Sequence, residues 1–152
     1  MARIARFILI SAPIERVFGF VADFQNLPRI QAQFSSVRLL STQQAGLGAQ
    51  VEAQGRFRGL PITTRMTIVE FTPPHLLVSD SSGGVRSRSI WRFRDLPSET
   101  GDPAQVRASL TIDYEVGVPG LAFLGNLVQH DVESMTVESL QRLKLLVEGG
   151  AA

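Results

Sequence analysis

"EVGVPGLAFLGNLVQHDVESM", residues 115–135, is the stretch on which the fold turns. It opens as the end of a strand, breaks at Gly117-Val118-Pro119-Gly120 and continues as an apolar helix. The helix is expected to start after Pro119–Gly120 and to run to about Val147, with Gly149 and Gly150 ending it. Leu121, Leu124, Val128, Val132, Met135, Leu143 and Leu146 trace one broad stripe along it. A helix with that much apolar surface has to cover something, and the preceding segments supply it.

Working backwards, "VRASLTIDYEV" alternates strictly. Val106, Ala108, Leu110, Ile112, Tyr114 and Val116 share one face, and Arg107, Ser109, Thr111, Asp113 and Glu115 the other. "GAQVEAQGRF" does the same, with Ala49, Val51, Ala53, Gly55 and Phe57 in phase. Gly59, Leu60 and Pro61 are expected to turn the chain into "ITTRMTIVEF", where Ile62, Thr64, Met66 and Ile68 share a face until Pro73 and Pro74 stop it. A register slip between Thr67 and Phe71 would exchange inward and outward residues. "HLLVSDS" and "RSRSIWRFR" are joined through Gly83 and Gly84. Arg86, Arg88, Arg92 and Arg94 lie opposite Trp91 and Phe93, as a solvated sheet face would place them. At the front, "RIARFILIS" reads as a strand. Pro13 and Glu15 then open a short helix through Val17, Phe18 and Val21, and a second short helix covers Phe24 to Ile30 with Pro28 in or near it. The order is strand, two short helices, about six antiparallel strands and one long helix, in a single α+β domain spanning 1–152.

Composition narrows the function. Hydrophobic residues make up 44% of 152 residues, enough for one core. Fifteen basic and fourteen acidic residues leave a charge of +1, which gives no reason to expect nucleic acid. With no cysteine there is neither disulfide nor thiolate site, and two histidines, His75 and His130, make a histidine metal site unexpected. No metal and no cofactor are expected. No apolar run approaches the roughly 18 residues of a membrane span. Arg3 and Arg6 before a short apolar stretch look faintly like an export signal, but Pro13, Glu15 and Arg16 interrupt it, so the expected location is cytoplasmic. His130 and Asp131 are neighbours on a helix, about 100° apart, and diverge too far for a tight general-base pair. Asp113 and Glu115 share the polar face, and no opposed carboxylates suggest acid/base work.

"SAPIERVFGFVADFQNLPRI" (residues 11–30), "FSSVRLL", "IWRFRDL" and the terminal helix from "PGLAFLGNLV" together resemble the START-like, or Bet v 1-like, superfamily. Within it the chain is most similar to the polyketide cyclase/dehydrase and coenzyme Q-binding group. Asp23 and Pro28 match the Asp-x-x-x-x-Pro segment of these proteins. The resemblance implies a helix-grip fold: a curved antiparallel sheet wrapped around the long C-terminal helix, with two short helices after the first strand. It also implies a cavity between sheet and helix that holds an apolar or amphipathic small molecule, such as a lipid, an isoprenoid quinone or an aromatic polyketide-like compound. The expected ligand-binding residues are Phe57, Thr64, Met66, Ser89, Trp91, Phe93, Leu110, Ile112, Tyr114, Leu124, Val128 and Met135, with Thr64, Ser87, Ser89, Trp91 and Tyr114 as polar groups that orient the ligand. Two other readings stay open. A cyclase or dehydratase would fold a reactive chain in the cavity, with Tyr114 or an inward serine donating a hydrogen bond and His130 or Asp131 handling protons. A protein-interaction module would have a filled interior and use Leu127, Val137, Leu140 and Leu145 as a partner surface. Peripheral membrane association and a monomer or weak homodimer are the assemblies compatible with the resemblance.

Overall fold

The computed structural model describes residues 2–43, 45–83, 86–97, 104–115 and 125–149. Strand β1 (Ala2–Ile10) leads into α1 (Ile14–Ala22), whose N-cap is Pro13. The predicted second helix is two pieces: a 3₁₀ turn at Phe24–Asn26 and a one-turn α2 (Leu27–Ile30). Asp23 splits it from α1, because its side chain accepts from the Gln25 N–H at 2.9 Å and re-aims the backbone. Pro28 then lies in the first turn of α2, where its missing N–H leaves nothing unpaired. Six strands follow: β2 (Phe34–Leu39), β3 (Gln50–Phe57), β4 (Leu60–Thr72), β5 (Leu76–Ser82), β6 (Ser87–Leu96) and β7 (Gln105–Tyr114). The long helix α3 is described from Gly125 to Glu148. The predicted Pro119–Gly120 turn and Leu121 fall outside the described residues.

The seven described strands form one antiparallel sheet in the order β1-β7-β6-β5-β4-β3-β2. The concave face carries the alternating sets read from the sequence, with Ala49 just before β3, Val51 and Ala53 of β3, and Val106, Ala108 and Leu110 of β7 fully buried. The sheet curls around α3, which gives the helix-grip architecture. The β4–β5 register shifts between Ile68 and Glu70, inside the interval where a slip was anticipated, yet Met66 and Ile68 remain inward.

The hairpin between β3 and β4 differs from expectation. Its turn is Arg58–Gly59, and Leu60 and Pro61 already belong to β4, opposite Phe57 and Arg56. Both turn residues have positive φ, 51° at Arg58 and 79° at Gly59, the twist that a two-residue hairpin needs. Pro61 is tolerated because β4 pairs with β5 only from Arg65 onward, so the lost N–H breaks no second ladder there.

α3 is seated on β1 and β7, with further contacts to α1 and α2, and stands away from most of β3 and β4. Its buried residues are Val132, Thr136, Ser139, Leu140, Leu143 and Val147. Leu140 was assigned to an outward partner surface and is instead core. Its helical phase relative to Thr136, Leu143 and Val147 carries it onto the sheet side. Leu127, Val137 and Leu145 are exposed.

Candidate functional site

The interior has a filled end and a hollow end. At the filled end Leu140, Leu143 and Val147 of α3 meet Ile10, Val17, Phe18, Val106 and Ala108. Phe18 packs on Phe71 and edge-on against Phe93, at centroid distances of 5.4 and 5.7 Å. Trp91 stacks parallel to Phe93 at 6.0 Å. Trp91 and Phe93 are therefore core. They were expected in the ligand site because they share the concave face. Their position along it sets them at the end of β6 that α1 covers, where Phe18 packs on Phe93 and Trp91 stacks behind it.

At the other end a cavity of about 350 Å³ lies between the sheet and the N-terminal half of α3. Of the expected ligand-site residues, Phe57, Thr64, Met66, Ser89, Leu110, Ile112, Tyr114, Val128 and Met135 line it. Leu124 is outside the described residues. The register explains how strands distant in sequence meet there. Tyr114 pairs with Ser87, Ser87 with Ser81 and Ser81 with Met66, one row across β7, β6, β5 and β4. The adjacent row carries Ile112 beside Ser89 and Ser89 beside Ser79.

The described lining is apolar with a band of neutral polar groups: Thr64, Ser81, Ser87, Ser89, Tyr114, Thr136 and Ser139, plus Gln31 and Gln33 before β2. Thr64 donates to the Gly83 carbonyl at 3.1 Å. Thr136 and Ser139 return their hydroxyl protons to the Val132 and Met135 carbonyls, each at 2.7 Å, which lets the helix bury two hydroxyls on its inward side. The Tyr114 hydroxyl is buried without a hydrogen-bond partner among the described residues. Burial, and then the charge of Glu133, hold its ionisation above the ordinary range, so near neutrality it is a protonated donor. No Asp, Glu, His, Lys or Arg is among the described lining residues.

The titratable candidates lie elsewhere. His130 is exposed. Asp131 is held by Arg58 from the β3–β4 turn, Nε to Oδ2 at 2.6 Å and a second contact at 3.1 Å, so the two neighbours do not work together. The His75 ring sits 3.1 Å from the Phe93 carbonyl, at the start of β5. Asp113 points to the convex face, where Arg3 holds its carboxyl below the usual carboxylate range.

A profile of the family described as "Polyketide cyclase / dehydrase and lipid transport" matches residues 1–148. The chain belongs to that family. Among solved structures it is similar to TTHA0849 from Thermus thermophilus, with 20% identity and a TM-score of 0.77 over 99% of this chain and 100% of that one. It is similar to the Zhui aromatase/cyclase from Streptomyces sp. R1128, with 17% identity and a TM-score of 0.77 over 99% and 96%. A START superfamily protein from Mycobacterium smegmatis matches at 13% identity and a TM-score of 0.66 over 95% and 98%. At these identities the likeness is one of fold. No curated protein matches. Within this polyketide cyclase/dehydrase and lipid transport family, the chain places its open volume under one half of the grip helix.

Gln31, Gln33, Phe34, Ile62, Ser81, Val132, Thr136 and Ser139 also line the cavity and are not in the expected ligand-binding set. The signal for the two helical hydroxyls was present, since they follow Val132 and Met135 at the four-residue spacing of one helix face. A stripe traced by apolar residues alone passes over them.

Proposed function

We propose that this protein binds an uncharged apolar or amphipathic small molecule in the cavity beneath the N-terminal half of α3. A lipid, an isoprenoid quinone or an aromatic polyketide-like compound is the class of ligand it suits. The observation that carries this reading is the described lining: apolar side chains and a band of hydroxyl and amide groups, with no charged or imidazole side chain among them. An apolar body gains about 0.8 kcal/mol for each buried CH₂. The neutral hydroxyls offer orientation without the desolvation penalty that a buried charge imposes. The volume of about 350 Å³ lies at the small end of ligand pockets, which favours a compact ring system or a short chain. Proton-transfer chemistry would call for a titratable pair converging on the substrate. His130 and Asp131, the residues best suited by type, are respectively exposed and tied to Arg58.

Native mass spectrometry of gently purified protein, compared with denaturing spectra and followed by extraction, tests the proposal. A stoichiometric neutral lipid, quinone or aromatic compound is the expected result. Protein that comes empty and takes up no such compound on incubation would refute it.

A further inference from the structure

α3 is seated on β1 and β7 along one flank and stands away from most of β3 and β4 along the other. On that second flank the β3–β4 hairpin brings Phe57 and Ile62 to the cavity wall, and α3 brings Val128, Val132 and Met135. Between hairpin tip and helix runs the two-contact ion pair from Arg58 to Asp131, at 2.6 and 3.1 Å. Arg58 is immediately next to Phe57, and Asp131 immediately before Val132, so the pair spans the gap beside residues that wall the cavity. Arg58 is also the one non-glycine among the described residues with positive φ, at 51°. A bulky side chain in that conformation costs some stability in a position where glycine would be at ease. Its guanidinium presents two N–H groups to one carboxylate, a directional contact that lysine could not reproduce. Both side chains keep partial access to solvent, so the pair can break without burying a naked charge.

We propose that ligand passes between the β3–β4 hairpin and α3, through a portal that the Arg58–Asp131 pair holds shut. The portal rests on the cavity being a ligand site. Opening requires only that a two-residue turn swing from the helix. The tip that carries the turn, Arg56↔Pro61 and Phe57↔Leu60, lies beyond the pairing of β3 with β2, which ends at Gly55, and of β4 with β5, which begins at Arg65, so it can tilt while the rest of the sheet stays paired. The pair then governs the rates of uptake and release more than the affinity, because it touches the path and not the lining.

Stopped-flow fluorescence with Prodan, a neutral solvatochromic naphthalene ketone, tests the portal on the full chain. Arg58→Gly relaxes the turn while deleting the pair, and Asp131→Asn deletes it without touching the turn. Each is expected to raise association and dissociation rates about fivefold, the kinetic equivalent of one good exposed ion pair, with Kd changed less than about twofold. The exchanged double variant R58D/D131R should return to slow rates. Added salt should accelerate the unaltered protein and leave D131N unaffected. Prodan binding with the same rates in all variants would overturn the portal and leave the cavity reading standing. Prodan that binds none of them, including the opened variants, would overturn both.

Discussion

Among the described residues Tyr114 combines the largest fully buried side chain with a hydroxyl that has no partner there. A buried donor left unpaired costs about 1–3 kcal/mol. Tyr114→Phe removes that oxygen and keeps the ring against Ile4 and Val132, so it should raise the stability of the ligand-free protein by about 1 kcal/mol, read from urea unfolding midpoints. Stability that falls instead would mean that the hydroxyl is satisfied in solution. The expected gain has a functional meaning: a group that weakens the empty protein is kept where it can hydrogen-bond something that arrives. Gly55 makes the opposite case. A Cβ there would stand 1.8 Å from the Gln33 carbonyl oxygen, which accepts the Arg56 N–H at 2.9 Å. Gly55→Ala must push the Gln31–Gln33 segment off the sheet, and should cost about 3 kcal/mol in the same assay, far beyond the usual helix or strand propensity difference.

Among the elements, strand faces were legible in the sequence because a period of two needs no knowledge of partners. The alternation of β3 and β7 placed Val51, Ala53, Leu110 and Tyr114 inward, as the structure has them. Position along a face was not legible. Trp91 and Ser89 are two residues apart on the same side of β6, and one is stacked in the filled end while the other lines the cavity. That division depends on which helix lies above each row, a property of the tertiary arrangement. The two-residue turn at Arg58–Gly59 escaped notice because arginine seldom takes positive φ, whereas Gly59-Leu60-Pro61 carries the stronger local turn composition. Electrostatics also act between elements. Arg3 ties β1 to Asp113 of β7, Arg88 ties β6 to Asp80 of β5, and Glu148 accepts from Lys144 and from the Ser11 N–H after β1. In each case hydrogen bonding by the partner holds the folded carboxyl below its ordinary pKa. A depressed carboxyl stabilises the fold fully above its unfolded pKa, and that contribution is lost as pH falls through the folded value. Thermal stability should therefore be flat near neutrality and decline from about pH 5 downward. The D80N/D113N double variant should show a smaller decline on acidification, with a lower starting point. An unchanged slope would mean that these pairs do not survive in solution.

For the molecule as a whole, one helix serves two ends of different character, and the difference predicts opposite mutational signs. Leu143 is fully buried at the filled end, among residues that leave no room to relax. Leu143→Ala should cost about 3 kcal/mol and leave ligand uptake intact in whatever fraction stays folded. Thr136, two turns earlier on the same side, is buried at the hollow end and spends its hydroxyl on the Val132 carbonyl. Thr136→Leu removes a β-branched, back-bonding residue from a helix interior and adds apolar volume to a cavity already lined by Val132 and Met135. It should leave stability unchanged or raise it by about 1 kcal/mol, while lowering Prodan affinity at least about tenfold by occupying the space. Urea unfolding and Prodan titration on the same samples separate the two. A Thr136→Leu protein that binds the probe as well as its parent would place the ligand outside this cavity. A protein that gains stability as it loses binding would show that the open volume is maintained against the packing preference of the chain, because an unused hollow of this size could be filled by one substitution.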